Sequence, residues 1–214
     1  GAGRGAKLVD MSAVEVVPFT GGRLTDFVGG DVWLNAEGRR FVSEGETFDV
    51  IRSAVEAQPE GRLWVVSDVK SNKGATLPVK LMSGTVASAE SLEALAKALQ
   101  VPFTTLRASI DRWNQSVKSG WDQDFNRPMP AQAQTIDTPP FYYGEERLNI
   151  HSTEGGVAID TQARVLDQSE EPLLGLFAAG ETVGNLHGKS RPGGNGVFGL
   201  RRLRENRRPR SGST

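Results

Sequence analysis

The stretch LGLFAAGETVGNLHGKSRPGGNG, from Leu174 to Gly196, constrains the folding of this 214-residue chain more than any other. Its apolar start reads as a strand. The strand stops in Ala178-Ala179-Gly180, where no bulky side chain keeps a ligand or another segment away from the backbone. Glu181 follows at once, placed to accept hydrogen bonds from ligand hydroxyls. Further on, Gly193-Gly194-Asn195-Gly196 offers bare backbone N–H groups where a helix could begin, an arrangement suited to an electron-rich oxygen. Either glycine cluster alone is a turn; the two in this order, with Glu181 between them, describe a ligand cradle.

The rest of the chain supplies ordinary α+β elements. KLVDMSAVEVVP, residues 7 to 18, alternates well enough for a strand that ends at Pro18. The opening GAGRG is not a phosphate-binding loop, because its glycines precede that strand and do not follow one. DVWLNAEGRRFVSE predicts a β-hairpin turning at Asn35 to Gly38, and Phe48, Ile51 and Val55 predict a helix from Thr47. Residues 62–69 read as a buried strand and 71–82, with Gly74 and Pro78, as a loop. Ser91 caps one predicted helix. A second starts at Pro102, carries Leu106, Ile110, Trp113 and Val117 on one face, and ends at Gly120. A Pro-, Asp- and Gln-rich connection over 121–140, a second hairpin in GGVAIDTQARVLD and the strand in PLLGLFAAGE complete the list. Two compact units meeting near residue 140 are the simplest partition.

Composition narrows the chemistry. There are no cysteines, so thiolate metal sites, disulfides and a cysteine nucleophile are excluded, and with only His151 and His187 as imidazoles no metal centre is expected. Six arginines (201, 202, 204, 207, 208 and 210) crowd the C-terminus, leaving 19 basic against 25 acidic side chains elsewhere. An acidic body argues against nucleic acid as a partner. No apolar run approaches the roughly 20 residues of a membrane-spanning helix.

The string GLFAAGETVGNLHGKSRPGGNG resembles the C-terminal flavin motif of the fumarate reductase and succinate dehydrogenase flavoprotein superfamily, in outline G-L-[YF]-A-A-G-E followed by H-G-x-x-R-x-G-G-N. HSTEGGVAIDTQARVLD, RWNQSVKSGWDQDFNRP, SLEALAKAL, VWLNAEGRRFVSE and GAKLVDM resemble the same family in the same order, so the likeness covers most of residues 5–198. The resemblance implies an α+β chain in pieces: 1–18 a remnant of the FAD-binding domain, 19–140 a cap that closes on substrate, 141–200 the C-terminal segment of the Rossmann-like FAD-binding domain, and 201–214 a divergent basic tail. The dinucleotide-binding βαβ unit would lie in a missing N-terminal half. FAD is the implied cofactor, bound by Ala179, Gly180, Glu181, Gly193, Gly194, Asn195 and Gly196. His151, Ser152, His187 and Arg191 are the implied substrate-binding residues, Arg191 because a guanidinium fork pairs with both oxygens of a carboxylate. The implied reaction passes hydride between flavin N5 and a carbon–carbon bond of a small carboxylate-bearing molecule.

The departures matter as much. Where the family has a proton-donating arginine this chain has Phe48, and where it has a histidine before proline this chain has Val17 before Pro18. The His-His-Thr-x-Gly-Gly motif reads His151-Ser152-Thr153-Glu154-Gly155-Gly156, with one imidazole replaced by a hydroxyl and an acid where an apolar residue is usual. Fumarate is therefore not the expected substrate. Arg52, one helical turn past Phe48, is the candidate replacement cation. A flavin-dependent ketone or steroid dehydrogenase and a non-catalytic or truncated binding module are the alternative readings.

Overall fold

A computed structural model describes residues 5–18, 24–25, 27–71, 75–184 and 186. In chain order its elements are β1 (Leu8–Val9), β2 (Val14–Val17), β3 (Val32–Leu34), α1 (Phe48–Glu56), β4 (Arg62–Asp68), α2 (Leu77–Ser83), β5 (Ala87–Ala89), α3 (Leu92–Leu99), α4 (Phe103–Ser119), β6 (Trp121–Asp122), β7 (Arg127–Pro128), β8 (Phe141–Arg147), β9 (Asn149–Thr153), β10 (Gly156–Val157), β11 (Arg164–Leu166) and β12 (Pro172–Phe177). They divide into two compact units, Val17–Asn149 and Gly1–Val16 with Ile150–Thr214. Helix and sheet are mixed, as an α+β chain requires.

Val17–Asn149 is built on an antiparallel sheet of order β3-β4-β8-β5. Successive strand residues point to opposite faces, and both faces are covered. Val32, Leu34 and Val66 meet α3 and α4 through Leu95, Leu99, Leu106, Ile110 and Trp113. Trp33, Leu63 and Val65 meet Ile51 and Val55 of α1. Cover on both sides is why β4 reads as an unbroken apolar run and not as an alternation. β8 pairs with β4 along its whole length, from Arg62 opposite Arg147 to Asp68 opposite Phe141. The units therefore divide at Asn149 and not near 140, because β8, in the segment expected to open the next domain, lies inside this sheet between β4 and β5.

Local signals explain most element ends. Ser91 Oγ accepts from Ala94 N at 3.1 Å to cap α3, and Gly120, at φ 72°, ends α4. The stretch 71–82 is not all loop: α2 forms there with Pro78 in its first turn, where a missing N–H costs nothing, and Gly84 ends it. The first hairpin is shorter than expected, its second strand reduced to a bridge between Leu34 and Arg40.

That bridge places Arg40 at the centre of a buried charge cluster. Its guanidinium, 2% exposed, meets Glu44 and Asp122 at 2.8 Å and Asp124 at 3.0 Å. The Trp113 and Phe125 rings each lie 4.8 Å from its Cζ. Burial penalises this charge, but Glu44 and Asp122 outweigh the penalty and hold the proton more tightly than in free arginine.

The second unit consists of two-stranded ladders, β1 with β10, β2 with β9 and β11 with β12. The single strand expected over 7–18 is broken in two at Asp10, which adopts φ 53° and accepts from Ala13 N at 2.7 Å. The second hairpin forms around Asp160, with Ile159 opposite Val165, but β11 takes β12 as its ladder partner. Its core is small: Ile159, Ala163, Val165 and Val183. By contrast Leu174, Leu176 and Phe177 of β12 are 104%, 47% and 52% exposed. Among the described residues no helix is long and apolar enough to cross a membrane.

Candidate functional site

The second unit brings part of the expected site together. Three backbones cross without an intervening side chain: 8–11, 155–157 and 182–184. A Cβ on Gly155 would lie 2.4 Å from Asp10 O, one on Gly156 2.1 Å from Thr182 O, and one on Gly184 2.4 Å from Gly156 N. No side chain fits at those distances, so the glycines are required by close approach. The crossing is tied by a parallel bridge of Val157 to Val183 and by Gly184 N donating to Val157 O at 3.1 Å.

This crossing positions Glu181. β12 runs through Ala178 and Ala179 into a 3-10 turn at Gly180–Thr182, entered through Gly180 at φ 83°. Glu181 Oε1 accepts from Thr153 N at 2.9 Å, with Thr153 Oγ1 at 3.4 Å. Its carboxylate is thus aimed by the end of β9, and among the described residues Oε2 accepts no hydrogen bond. Thr153 in turn follows His151 and Ser152, so the strand that carries two expected substrate-binding residues holds the expected cofactor-binding acid.

His151 is exposed. Ser152 is buried, its Oγ 2.8 Å from Glu15 Oε2 and 3.0 Å from Glu154 Oε1. Glu154 is 5% exposed and so does not face solvent. Glu15 and Thr153 were not legible as site residues. Glu15 sits on β2, far away in sequence, and Thr153 acts through its backbone N–H. His187, Arg191, Gly193, Gly194, Asn195 and Gly196 lie outside the described residues.

The departures at Phe48 and Val17 fall in the other unit or at its edge. Phe48 opens α1 and packs against Ile51 and Val55, and Val17 is buried; neither can move a proton. Arg52 gives its Nε to Glu56 Oε1 at 2.8 Å, both side chains about half exposed, an ordinary pair one turn apart. Among the described residues no cluster of three or more His, Cys, Asp or Glu side chains could hold a metal ion.

Small residues where β12 ends, a left-handed glycine and an anchored carboxylate with one oxygen to spare suit a hydroxyl-bearing cofactor approached closely by backbone. The chain belongs to the FAD binding domain family, whose sequence pattern matches residues 25–197. FAD is accordingly the cofactor this membership implies, and Glu181 with the Ala179–Gly180 backbone fits it. The chain is 32% identical over 200 residues to an NADH:fumarate oxidoreductase of Klebsiella pneumoniae (strain 342), covering 90% of this chain and 22% of that protein. It is 32% identical over 209 residues to an NADH:acrylate oxidoreductase of Vibrio harveyi, covering 92% and 20%. The open conformation of a flavocytochrome c3 fumarate reductase superposes with a TM-score of 0.71 at 33% identity, covering 95% of this chain and 36% of that one. The chain thus spans about a fifth of the length of these two curated relatives and 35% of a fumarate reductase (cytochrome) of Shewanella frigidimarina.

Proposed function

We propose that the chain is the cap and the C-terminal flavin-contacting part of an FAD-dependent reductase that adds hydrogen across a carbon–carbon double bond next to a carboxylate. In this reading Val17–Asn149 is the cap, Gly1–Val16 with 150–200 belongs to the FAD-binding domain, and the dinucleotide-binding βαβ unit lies in a further N-terminal half. Residues 201–214 are a divergent basic tail. Exposure on β12 supports the missing half. Leu176 and Phe177 are neighbours in a strand, so they point to opposite faces, and both are about half bare. A strand apolar on two sides is built to be covered on two sides.

The observation that carries the reading is Glu181, held by Thr153 N at the end of β12 with its second oxygen left for a ligand. Bound FAD supplies the hydride. This chain supplies the Glu181 carboxylate for ribityl hydroxyls, backbone at Gly193, Gly194, Asn195 and Gly196 for the ring edge, and Arg191 for a substrate carboxylate. His151, Ser152 and His187 complete the substrate wall. The two relatives are named for fumarate and acrylate, both unsaturated carboxylates, which supports that substrate class.

Removing the anchored acid is the test. In the full-length protein Glu181→Ala is expected to weaken FAD binding by about tenfold or more, the loss of hydrogen bonds to a charged group, measured by flavin release during dilution. Unchanged retention would overturn the assignment. Proton delivery by Arg52 requires its pair with Glu56 to open, and equal turnover by Arg52→Ala would remove that role.

A further inference from the structure

A cavity of about 340 Å³ opens within the Val17–Asn149 unit beside the Arg40 cluster, with Glu44 and Asp122 in its wall. That is the size of a small-molecule pocket. Val28, Trp113, Pro128, Met129 and Pro130 give it apolar surface, and Ser43 and Arg127 join the two acids as its polar groups. The wall is fixed in advance of any ligand. Met129 N donates to Gly120 O at 3.0 Å and Gln134 N to Gly29 O at 2.9 Å, which tie down the segment after Arg127. Gly29, at φ 102°, admits Ala133 where a Cβ would lie 2.9 Å from the Ala133 Cα. A preformed pocket spares a ligand the cost of ordering its site.

The acceptors in this wall are occupied and the donors are not. Glu44 accepts from Trp33 N and twice from Arg40. Asp122 accepts twice from Arg40 and once from Asp124 N. Arg127 carries five N–H groups but uses only Nη1, toward Ser43 Oγ at 3.2 Å and toward Glu46. Among the described residues its Nε and Nη2 meet no acceptor. Ser43, 6% exposed, takes the Arg127 bond on its oxygen, and its own proton likewise has no acceptor among the described residues. Buried donors are rarely left unmade in native structures, and an acceptor brought by a ligand would satisfy this one.

Charge decides which acceptor fits. Glu44, Glu46 and Asp122 exceed Arg40 and Arg127 by one negative charge, while Arg112 and Asp124 balance each other. A carboxylate would add to that excess in a half-enclosed space where water screens poorly. A neutral carbonyl oxygen uses the same donors without adding charge. We infer that this cavity binds a small neutral carbonyl compound, an amide, ester or ketone, with its oxygen at Ser43 and Arg127 and its apolar body against Trp113, Met129 and the two prolines. Every residue of the site belongs to one unit, so the inference does not depend on the flavin reading.

Benzamide and benzoate form the test pair, since they share a ring and a carbonyl and differ in charge. Each is titrated into full-length protein labelled at its methionine methyls, and the Met129 methyl resonance, assigned through Met129→Leu, reports binding at this cavity alone. Benzamide is expected to shift that resonance saturably, and benzoate to bind about tenfold more weakly or less. Arg127→Met is expected to weaken benzamide about tenfold and Ser43→Ala about threefold. A resonance that benzamide leaves unmoved would overturn the inference, as would benzoate binding as tightly as benzamide, or wild-type affinity for benzamide in both variants.

Discussion

Replacement of Arg40 by alanine is expected to destabilise the Val17–Asn149 unit by about 3–5 kcal/mol, the loss typical when one partner of a buried ion pair is removed. Three carboxylates and two aromatic faces converge on this guanidinium. Truncation would leave Glu44 and Asp122, both buried, facing each other without their cation. Arg40→Lys is expected to recover only part of the loss, because an ammonium cannot fork to Glu44 and Asp122 at once while stacking between two rings. Urea denaturation of the chain followed by tryptophan fluorescence measures both, Trp113 lying against the cluster. A change under 1 kcal/mol for Arg40→Ala would show that the cluster is incidental.

Acid should act on the same cluster. Burial opposes ionisation of Asp122, but the hydrogen bond and charge of Arg40 outweigh it and hold its carboxyl below the ordinary value of 3.8. A native value below the unfolded one means a contribution fully present above that range and lost as pH falls through the native value. Asp137, held down to about 2 chiefly by the hydrogen bond from Lys70, adds to the loss in the same direction. Denaturation midpoints should therefore drop as pH falls below about 4, and less so in Arg40→Ala, where Asp122 has lost its partner.

The second large effect belongs to the glycine crossing. Gly156→Ala is expected to cost about 1–3 kcal/mol, the range for overfilling a tight contact. A Cβ 2.1 Å from Thr182 O must push the 182–184 backbone away. The bridge of Val157 to Val183 and the bond from Gly184 N to Val157 O would then open, and Glu181 with them. FAD retention in the full-length protein should fall together with thermal stability. Retention equal to wild type would mean that the crossing does not position Glu181 for the proposed cofactor contact.

How much of this was legible in the sequence depended on whether the signal was local. Helices α1, α3 and α4 and strands β4 and β12 announce themselves through local signals: an apolar period for α1, the Ser91 cap for α3, Pro102 and Gly120 around α4, and apolar runs for the strands. α2 was hidden because Pro78 breaks a helix interior but is welcome in a first turn. The assignment of β8 to the sheet of the first unit was hidden because its pairing with β4 spans some eighty residues of chain. In the site, Gly155, Gly156, Glu181 and Glu154 carried local motifs. Glu15 did not, for its meaning comes from β2 lying beside β9, a pairing no local pattern reports.

The visible absorption spectrum of the purified full-length protein is the most direct measurement of the central claim, that the turn around Glu181 contacts a flavin. Oxidised flavin bands that survive gel filtration, and that weaken on Glu181→Ala, are the predicted result. A colourless protein that takes up no FAD on incubation would contradict it.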